Sequence, residues 1–437
     1  MILKSNNDIK SLFNEVSSDI SDEYLIKILK LNKDLEFIGP IDNSQSIKNI
    51  LTKQKFFKKS SYYGIMYEKN VSTLLNTRSK NGADLMATDK DGILKNSLSS
   101  EDAILRIEKA KKEKIPIIYI FGTSTLTSMG ARIPDHSIPA LIERVFELRY
   151  KKKIVCINFG LGGSYSQDAL NLLTSKALSI AKPNSVIFYD GWNCCSYLNL
   201  TNRISKINER LGKNKKIIYS EGESLRNVEH NHILNSIYDP YSMSLRSFKL
   251  LGTHILSIIS AISNYLKFKF ISKILSKIQN KFFSLESSNL IKILREDIKF
   301  DTEWELKKEM PKVVEKYIDI HKYAYEVCKI HNIKFFWAFQ PLIFNGNKQL
   351  TKKEDEYKKS SLSKEHPILY SCFHTELKKQ MNNAKNLNKY HYDDMSNIFD
   401  EAEYTTYVDY GHLNSKGNLL VASKLTENIY KEIFSNK

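Results

Sequence analysis

Between Lys114 and Gly191 short apolar runs alternate with amphipathic segments, and this alternation constrains the fold more than any other feature. The runs IPIIYIFG, KIVCINFG and NSVIFYDG are rich in β-branched and aromatic residues, and each ends at a glycine. Such runs are typical of strands buried on both faces of a sheet. The segments between them, DHSIPALIERVFELRY and SQDALNLLTSKALSIA, have helical periodicity. The spacing predicts right-handed parallel crossovers and therefore a doubly wound α/β sheet.

The alternation stops after about residue 200 and resumes near the C-terminus. The segment YAYEVCKIHNIKFFWAFQP predicts a helix and a fourth strand, and SKGNLLVASKLTENIYKEIF predicts a final helix. We expect an N-terminal extension or small accessory domain over residues 1–112. An α/β domain over residues 113–437 would then carry a helical insertion at about 200–310. The extension alternates helical-looking and polar stretches, and it carries no motif that predicts chemistry.

Composition indicates an ordinary folded protein. The 437 residues are 42% hydrophobic and 26% charged, without the bias of a disordered chain. Five cysteines, an odd number, do not suit a disulfide framework and predict reduced thiols. The start of the chain lacks the features of a secretory signal, and no apolar run is long enough to cross a bilayer. We therefore expect a cytoplasmic protein.

The formal net charge of +17 raises the question of an anionic partner. Lysines are spread along the whole chain, which favours a generally basic surface over a specific nucleic-acid site. Residues 251–285 are the local exception, because they contain no acidic residue and have lysines at helical spacing beside apolar residues. This stripe predicts either a core-packing helix with a solvated lysine face, which we favour, or peripheral contact with an anionic membrane.

Polar side chains follow the ends of the three predicted strands, where reactive groups of parallel α/β sheets lie. Ser124 follows the first strand in FGTST, Gly163 follows the second in NFGLGGS, and Asn193 follows the third in YDGWNCC. A serine hydroxyl, a backbone N–H at a glycine and a side-chain amide can together serve as nucleophile and oxyanion donors. Taken alone, Ser124 is better explained as an ordinary turn residue, and Asn193 is equally compatible with one.

The sequence VDYGHLNSKGN, just before the predicted last helix, places Asp409 three residues before His412. The pair could be a helix cap, half of a metal site, or the base of a nucleophilic catalyst, in which the carboxylate orients the imidazole. No further ligands stand at metal-binding spacing, so we predict neither a metal nor a cofactor. If the pair is only a cap, His136 is the next candidate base.

Competing motifs fail on spacing. A dinucleotide-binding G-x-G-x-x-G would need glycine at Tyr165, and the nucleophile elbow G-x-S-x-G would need glycine at Leu126. The adjacent Cys194 and Cys195 are a weaker choice of nucleophile, because neighbouring side chains of an extended segment cannot both face one crevice.

Together these motifs resemble the four blocks of the SGNH hydrolases, also called GDSL-type esterases and lipases. The resemblance covers about residues 115–200 and 330–437, and it implies a three-layer α/β/α sandwich with a flavodoxin-like, mainly parallel sheet. It also implies that Ser124 is the nucleophile, His412 the general base and acid, and Asp409 its orienting carboxylate. The N–H groups of Ser124 and Gly163 and the amide of Asn193 would form the oxyanion hole.

Two positions depart from the family pattern, since Thr123 and Cys194 stand where the family usually has aspartate. Neither replaced group transfers the proton or donates to the oxyanion. The segment FFWAFQPLIFNGNKQLTKKE resembles bacterial members associated with cell-surface polysaccharide pathways. We therefore expect a serine esterase that acts on a small-molecule or glycan ester, with an O-acetyl group on a sugar or glycan precursor as the expected substrate. An acyltransferase with the same site, or a non-catalytic glycan- or lipid-binding module, are the alternatives.

Overall fold

The computed structural model describes residues 7–21, 24–25, 27–28, 36–42, 57–60, 64–67, 69, 71–76, 83–199, 216–217, 237–238, 303–360, 366–383 and 390–434. The chain divides into two compact units. The first comprises Met1–Leu198, Gly222–Arg226 and Leu306–Lys437, and the second comprises Asn199–Glu221 and Asn227–Glu305. The predicted site residues all belong to the first unit.

The N-terminal segment begins with helix α1 (Asn7–Ser17). Its strands are β1 (Glu36–Asp42), β2 (Phe57–Ser60), β3 (Gly64–Tyr67), β4 (Val71–Asn76) and β5 (Ala83–Ala87). Strand β4 lies between β1, to which it is parallel, and β5, to which it is antiparallel; β2 and β3 form a separate hairpin. The described part of this segment is therefore rich in strands, whereas its sequence alternates helical-looking stretches with polar ones.

The remaining elements of the first unit include the alternating strands and helices that the sequence predicts. They are α2 (Ala103–Glu113), β6 (Ile117–Gly122), α3 (Ile138–Tyr150), β7 (Val155–Gly160), α4 (Ser166–Leu172) and β8 (Ser185–Asp190). The second unit contains the strand pair β9 (Lys216–Ile217) and β10 (Ile237–Tyr238). The chain then forms α5 (Glu303–Ile330), β11 (Lys334–Phe339), α6 (Lys352–Ser360), α7 (His366–Asn383), β12 (Tyr392–Asp394) and α8 (Ser415–Phe434). Helix α4 continues through a π-helical turn, Leu173–Ala177, to Leu178–Ile180.

The central sheet has five strands in the order β12-β11-β8-β6-β7, and every neighbouring pair is parallel. Numbered along the chain, this order is 2-1-3-4-5, which is the doubly wound arrangement of flavodoxin-like sheets. The predicted α/β fold class is confirmed. In such a sheet the chain reverses its winding beside the first strand, here β6, and ligands bind in the crevice beyond that point.

Alternate side chains of β6 face two different helical layers. Ile118 and Ile120 are fully buried in a cluster with residues of α1, α3 and α8. Tyr119 and Phe121 point to the opposite face, where both rings lie 5.0 Å from that of Phe159. Because both faces are covered, the strand has no solvated side, which explains its continuous apolar run.

No helix in the described part of the chain is long and apolar enough to span a membrane. The lysine stripe at residues 251–285 lies outside the described residues, so its contact with a membrane stays a prediction. The cytoplasmic location and the absence of a specific nucleic-acid partner also stay predictions.

Candidate active site

Ser124 lies directly beyond β6, at the reversal point of the sheet. The strand ends at Gly122, Thr123 keeps an extended backbone, and Ser124 begins a single 3-10 turn, Ser124–Leu126. A residue at the first position of a helical turn has an N–H group that the turn itself does not use. Among the residues that the structure describes, none accepts the N–H of Ser124. The N–H of Ser124 is therefore able to donate to a bound ligand.

His412 and Asp409 form a continuous hydrogen-bonded chain with this serine. Nε2 of His412 lies 2.7 Å from Oγ of Ser124, and Nδ1 lies 2.7 Å from Oδ2 of Asp409. The imidazole is buried, with a side chain only 7% exposed. When Nδ1 carries the ring hydrogen and donates it to the carboxylate, Nε2 is left as an acceptor for the serine hydroxyl. The structure thus brings together the three residues that the sequence predicts as one group.

The Asp–His turn, residues 408–413, is closed by the second oxygen of Asp409. This Oδ1 accepts the N–H groups of Gly411 at 2.8 Å and His412 at 2.7 Å. Burial opposes ionisation of Asp409, but the charge of His412 and these hydrogen bonds outweigh it and lower the pKa of Asp409 to about 2. The aspartate is therefore an anion near neutral pH and stabilises a positive charge on the imidazole.

Trp192 packs against the same turn. Its ring lies 3.8 Å from that of Tyr410 and 6.0 Å from that of His412. A Cβ atom on Gly411 would come within 2.1 Å of the indole, so only glycine lets the turn approach this closely. The tryptophan is part of the DGWN motif, but no feature of that motif predicts that it packs against the histidine.

The glycine loop, residues 161–164, follows β7 and carries the predicted donor Gly163. This residue has φ +77°, a conformation that glycine adopts without strain. The N–H of Leu161 donates to the carbonyl of Gly122 at 2.9 Å, which ties the loop to the end of β6. No described residue accepts the N–H of Gly163. This group is therefore able to donate to a bound ligand.

Asn193 lies just beyond the end of β8, and its side chain contacts the glycine loop. Its Nδ2 donates one hydrogen to the carbonyl of Ser164 at 2.9 Å. A side-chain amide has two hydrogens on its nitrogen, so this bond fixes the group while leaving the second hydrogen for another acceptor. The structure thus joins Asn193 to the loop that bears Gly163, and the role of both as oxyanion donors remains a proposal.

Asn158, which begins the NFGLGGS motif, connects the serine turn to β7. Its amide nitrogen donates to the carbonyl of Leu126 at 2.9 Å, and its oxygen accepts the N–H of Gly160 at 2.9 Å. The side chain is 2% exposed. This asparagine has a structural task that the sequence motif does not reveal.

The adjacent cysteines do not face the site as nucleophiles. Residues 192–199 are helical, not extended as the sequence suggested, and both thiols are buried. Sγ of Cys194 lies 2.8 Å from Oγ of Ser166 at the start of α4. Burial raises the pKa of Cys194 and of Cys195 well above the usual thiol value, so both remain protonated.

His136, the alternative base, has its partners elsewhere. Its Nδ1 lies 3.0 Å from Oγ of Ser415, and its carbonyl accepts the amide of Asn418 at 3.0 Å. Burial lowers the pKa of His136. These contacts join the 3-10 turn Pro134–His136 to helix α8, which is a packing role. Across the described residues, no group of three His, Cys, Asp or Glu side chains is placed to hold a metal ion.

Comparison with known proteins gives structural matches only. No protein-family model and no curated protein sequence matches this chain. A structure assigned to the lipolytic G-D-S-L family from Desulfitobacterium hafniense DCB-2 matches at 10% identity and TM-score 0.33, covering 71% of this chain and 98% of its own. The acetyl xylan esterase AlAXEase matches at 11% identity and TM-score 0.32, covering 73% and 100%. A lipase/acylhydrolase from Enterococcus faecalis matches at 10% identity and TM-score 0.27, covering 73% and 97%. Scores of this size do not bear on the activity of this chain.

Proposed function

We propose that this chain is a serine esterase of the SGNH type that hydrolyses a small acyl ester. The observation that carries the proposal is the hydrogen-bonded chain from Ser124 through His412 to Asp409, with 2.7 Å at each link. A serine hydroxyl is a poor nucleophile until a base takes its proton, and an imidazole oriented by a carboxylate is suited to do so.

In the acylation step, Oγ of Ser124 attacks the ester carbonyl carbon while Nε2 of His412 takes the hydroxyl proton. The carbonyl oxygen becomes an oxyanion, and the N–H groups of Ser124 and Gly163 and the amide of Asn193 donate to it. The tetrahedral intermediate collapses when the C–O bond to the alcohol breaks. His412 returns its proton to the departing alkoxide, which leaves as the alcohol.

Deacylation repeats the sequence with water. His412 takes a proton from the water as its oxygen attacks the acyl carbon, and the oxyanion donors act again. The bond to Ser124 then breaks, the serine recovers its proton from His412, and the carboxylic acid is released. Asp409 stays ionised throughout and stabilises the imidazolium that forms in each half of the reaction.

The substrate class that we propose is an O-acetyl ester on a sugar or glycan precursor. Support for it comes from the resemblance of the segment around Gln340 to bacterial SGNH proteins of surface polysaccharide pathways. An acyltransferase would use the same acyl-enzyme and would differ only in the acceptor that replaces water. A non-catalytic binding module has no need of a base held 2.7 Å from a serine hydroxyl, so the geometry disfavours it.

The test is turnover of p-nitrophenyl acetate by purified wild type and Ser124→Ala. Loss of the nucleophile should lower kcat by at least about 10³-fold. Ser179→Ala is a matched control, because the same exchange is made at an exposed serine whose hydroxyl donates to the carbonyl of Lys176 in the extension of α4, and it should keep the wild-type rate. Equal turnover by Ser124→Ala and an active wild type would contradict the proposal.

A further inference from the structure

The N-terminal segment contributes two buried polar side chains to the frame of the site. Tyr67, the last residue of β3, is 4% exposed, and its hydroxyl accepts the N–H of Gly162 at 2.7 Å. Asp84 in β5 is 1% exposed, and its carboxylate accepts the N–H groups of Gly130 at 2.9 Å and Arg132 at 3.1 Å. Both contacts reach loops that adjoin the residues of the proposed reaction.

Tyr67 binds the glycine loop at the residue before Gly163. Two consecutive glycines give this stretch of backbone many accessible conformations, so its orientation depends on hydrogen bonds. Within the loop, the N–H and the hydroxyl of Ser164 donate to the carbonyl of Leu161 at 3.2 and 2.7 Å. Asn193 holds the far end of the loop through the carbonyl of Ser164, and Tyr67 holds the near end through the N–H of Gly162. Between these two anchors lies the N–H of Gly163, and both anchors contribute to its direction.

The hydroxyl of Tyr67 acts here as a neutral acceptor. Burial raises the pKa of Tyr67 above the usual phenol value, although the hydrogen bond from Gly162 acts in the opposite direction. A phenylalanine ring would fill the same space without accepting the N–H. The exchange therefore removes the acceptor of the Gly162 N–H and little packing.

Asp84 acts on a different part of the site, through loop 128–132. Three residues of this loop have positive φ, a conformation that needs support from surrounding structure when the residue is not glycine. A Cβ on Gly130 would lie 2.4 Å from the carbonyl oxygen of Leu413, so the loop packs directly against the Asp–His turn. Asp84 holds loop 128–132 in place. This loop limits how far the Asp–His turn can move.

We propose that Tyr67 and Asp84 are positioning residues of the reaction, Tyr67 for the oxyanion donor of the glycine loop and Asp84 for the Asp–His turn. The inference rests on the esterase function proposed above. It makes the N-terminal segment part of the site, although its sequence carries no recognisable catalytic motif. Neither residue touches the reacting atoms; each acts through a backbone loop.

The experiment compares Tyr67→Phe and Asp84→Asn with matched controls. Tyr119→Phe removes an equally buried hydroxyl, whose bond to the carbonyl of Ala181 lies outside the site. Asp89→Asn alters another buried aspartate of the N-terminal segment that accepts three backbone N–H groups. For each full-length variant, kcat and KM for p-nitrophenyl acetate are measured, and kcat is divided by the fraction of protein that a fluorophosphonate can label.

Misplacing the oxyanion donor or the Asp–His turn weakens binding of the transition state more than binding of the substrate. We therefore expect kcat per reactive serine to fall about 10- to 100-fold in Tyr67→Phe and Asp84→Asn, with KM nearly unchanged. Both controls should melt at lower temperature but keep the wild-type kcat.

Wild-type kcat in both Tyr67→Phe and Asp84→Asn would overturn the inference, as would an equal loss of kcat in the controls. An inactive wild type would overturn the esterase proposal itself, and the inference with it. An active wild type with unaffected variants overturns the inference alone.

Discussion

At the scale of single residues, the tautomer of His412 decides whether Ser124 can be activated. The ring can accept the serine proton at Nε2 only when its hydrogen is on Nδ1. Asp409 favours this tautomer because Oδ2 lies 2.7 Å from Nδ1, while Oδ1 is held by two backbone N–H groups of the same turn. Both oxygens of one carboxylate therefore define the orientation of the base.

Asp409→Asn tests this arrangement. The asparagine oxygen can still accept the backbone N–H groups, but its NH₂ would face Nδ1 and favour the tautomer with hydrogen on Nε2. We expect kcat for p-nitrophenyl acetate to fall by about 10³- to 10⁴-fold. Asp394→Asn is the control, since its carboxylate forms a separate pair with His374 at 2.9 Å. If Asp409→Asn keeps the wild-type rate, the pair only caps the turn and another group takes the proton.

At the scale of elements, helix α6 forms hydrogen bonds with residues 406–407, which lead into the Asp–His turn. Its Glu354 is fully buried and accepts the N–H groups of Thr406 at 2.8 Å and Tyr407 at 3.2 Å. The ammonium of Lys348 lies 3.1 Å away, and its side chain is only 5% exposed. Burial opposes ionisation of Glu354, but these donors outweigh it and lower its pKa.

Glu354→Gln should destabilise the protein by about 3 to 5 kcal/mol, because it leaves Lys348 buried without its counter-charge. The folded-state pKa of Glu354 lies below its ordinary value of 4.5. Its stabilising contribution is therefore present above pH 4.5 and is lost as the pH falls through the lower folded-state pKa. Urea unfolding at several pH values should show the wild-type advantage shrinking below this point. Glu356→Gln, at an exposed position of the same helix, is the control. An equal loss of stability in this variant would contradict the role assigned to Glu354.

The elements with regular burial are those that the sequence predicts well. Helix α8 has the predicted bounds, Ser415–Phe434, because one apolar stripe runs along its whole length. Strand β12 has only three half-buried residues and no apolar run, so it gives no such signal. Tyr67 and Asp84 reach the site through tertiary contacts, and no local pattern marks such contacts in a sequence.

At the scale of the whole molecule, the N-terminal segment and the α/β domain share one compact unit. The sequence divides them at residue 112, and this division stays a prediction, as does the insertion at about 200–310. Contacts through Tyr67 and Asp84 show why a boundary drawn from motifs alone does not mark a functional boundary. A truncation at residue 112 would remove both side chains from the site.

Fluorophosphonate labelling of the full-length chain, followed by peptide mapping, tests the central claim most directly, because the reagent modifies a serine that a base has activated. In wild type we expect modification of Ser124 and of no other serine. His412→Ala should remain folded and lose the label. Modification of a different serine, or a folded wild type that takes up no label, would contradict the account.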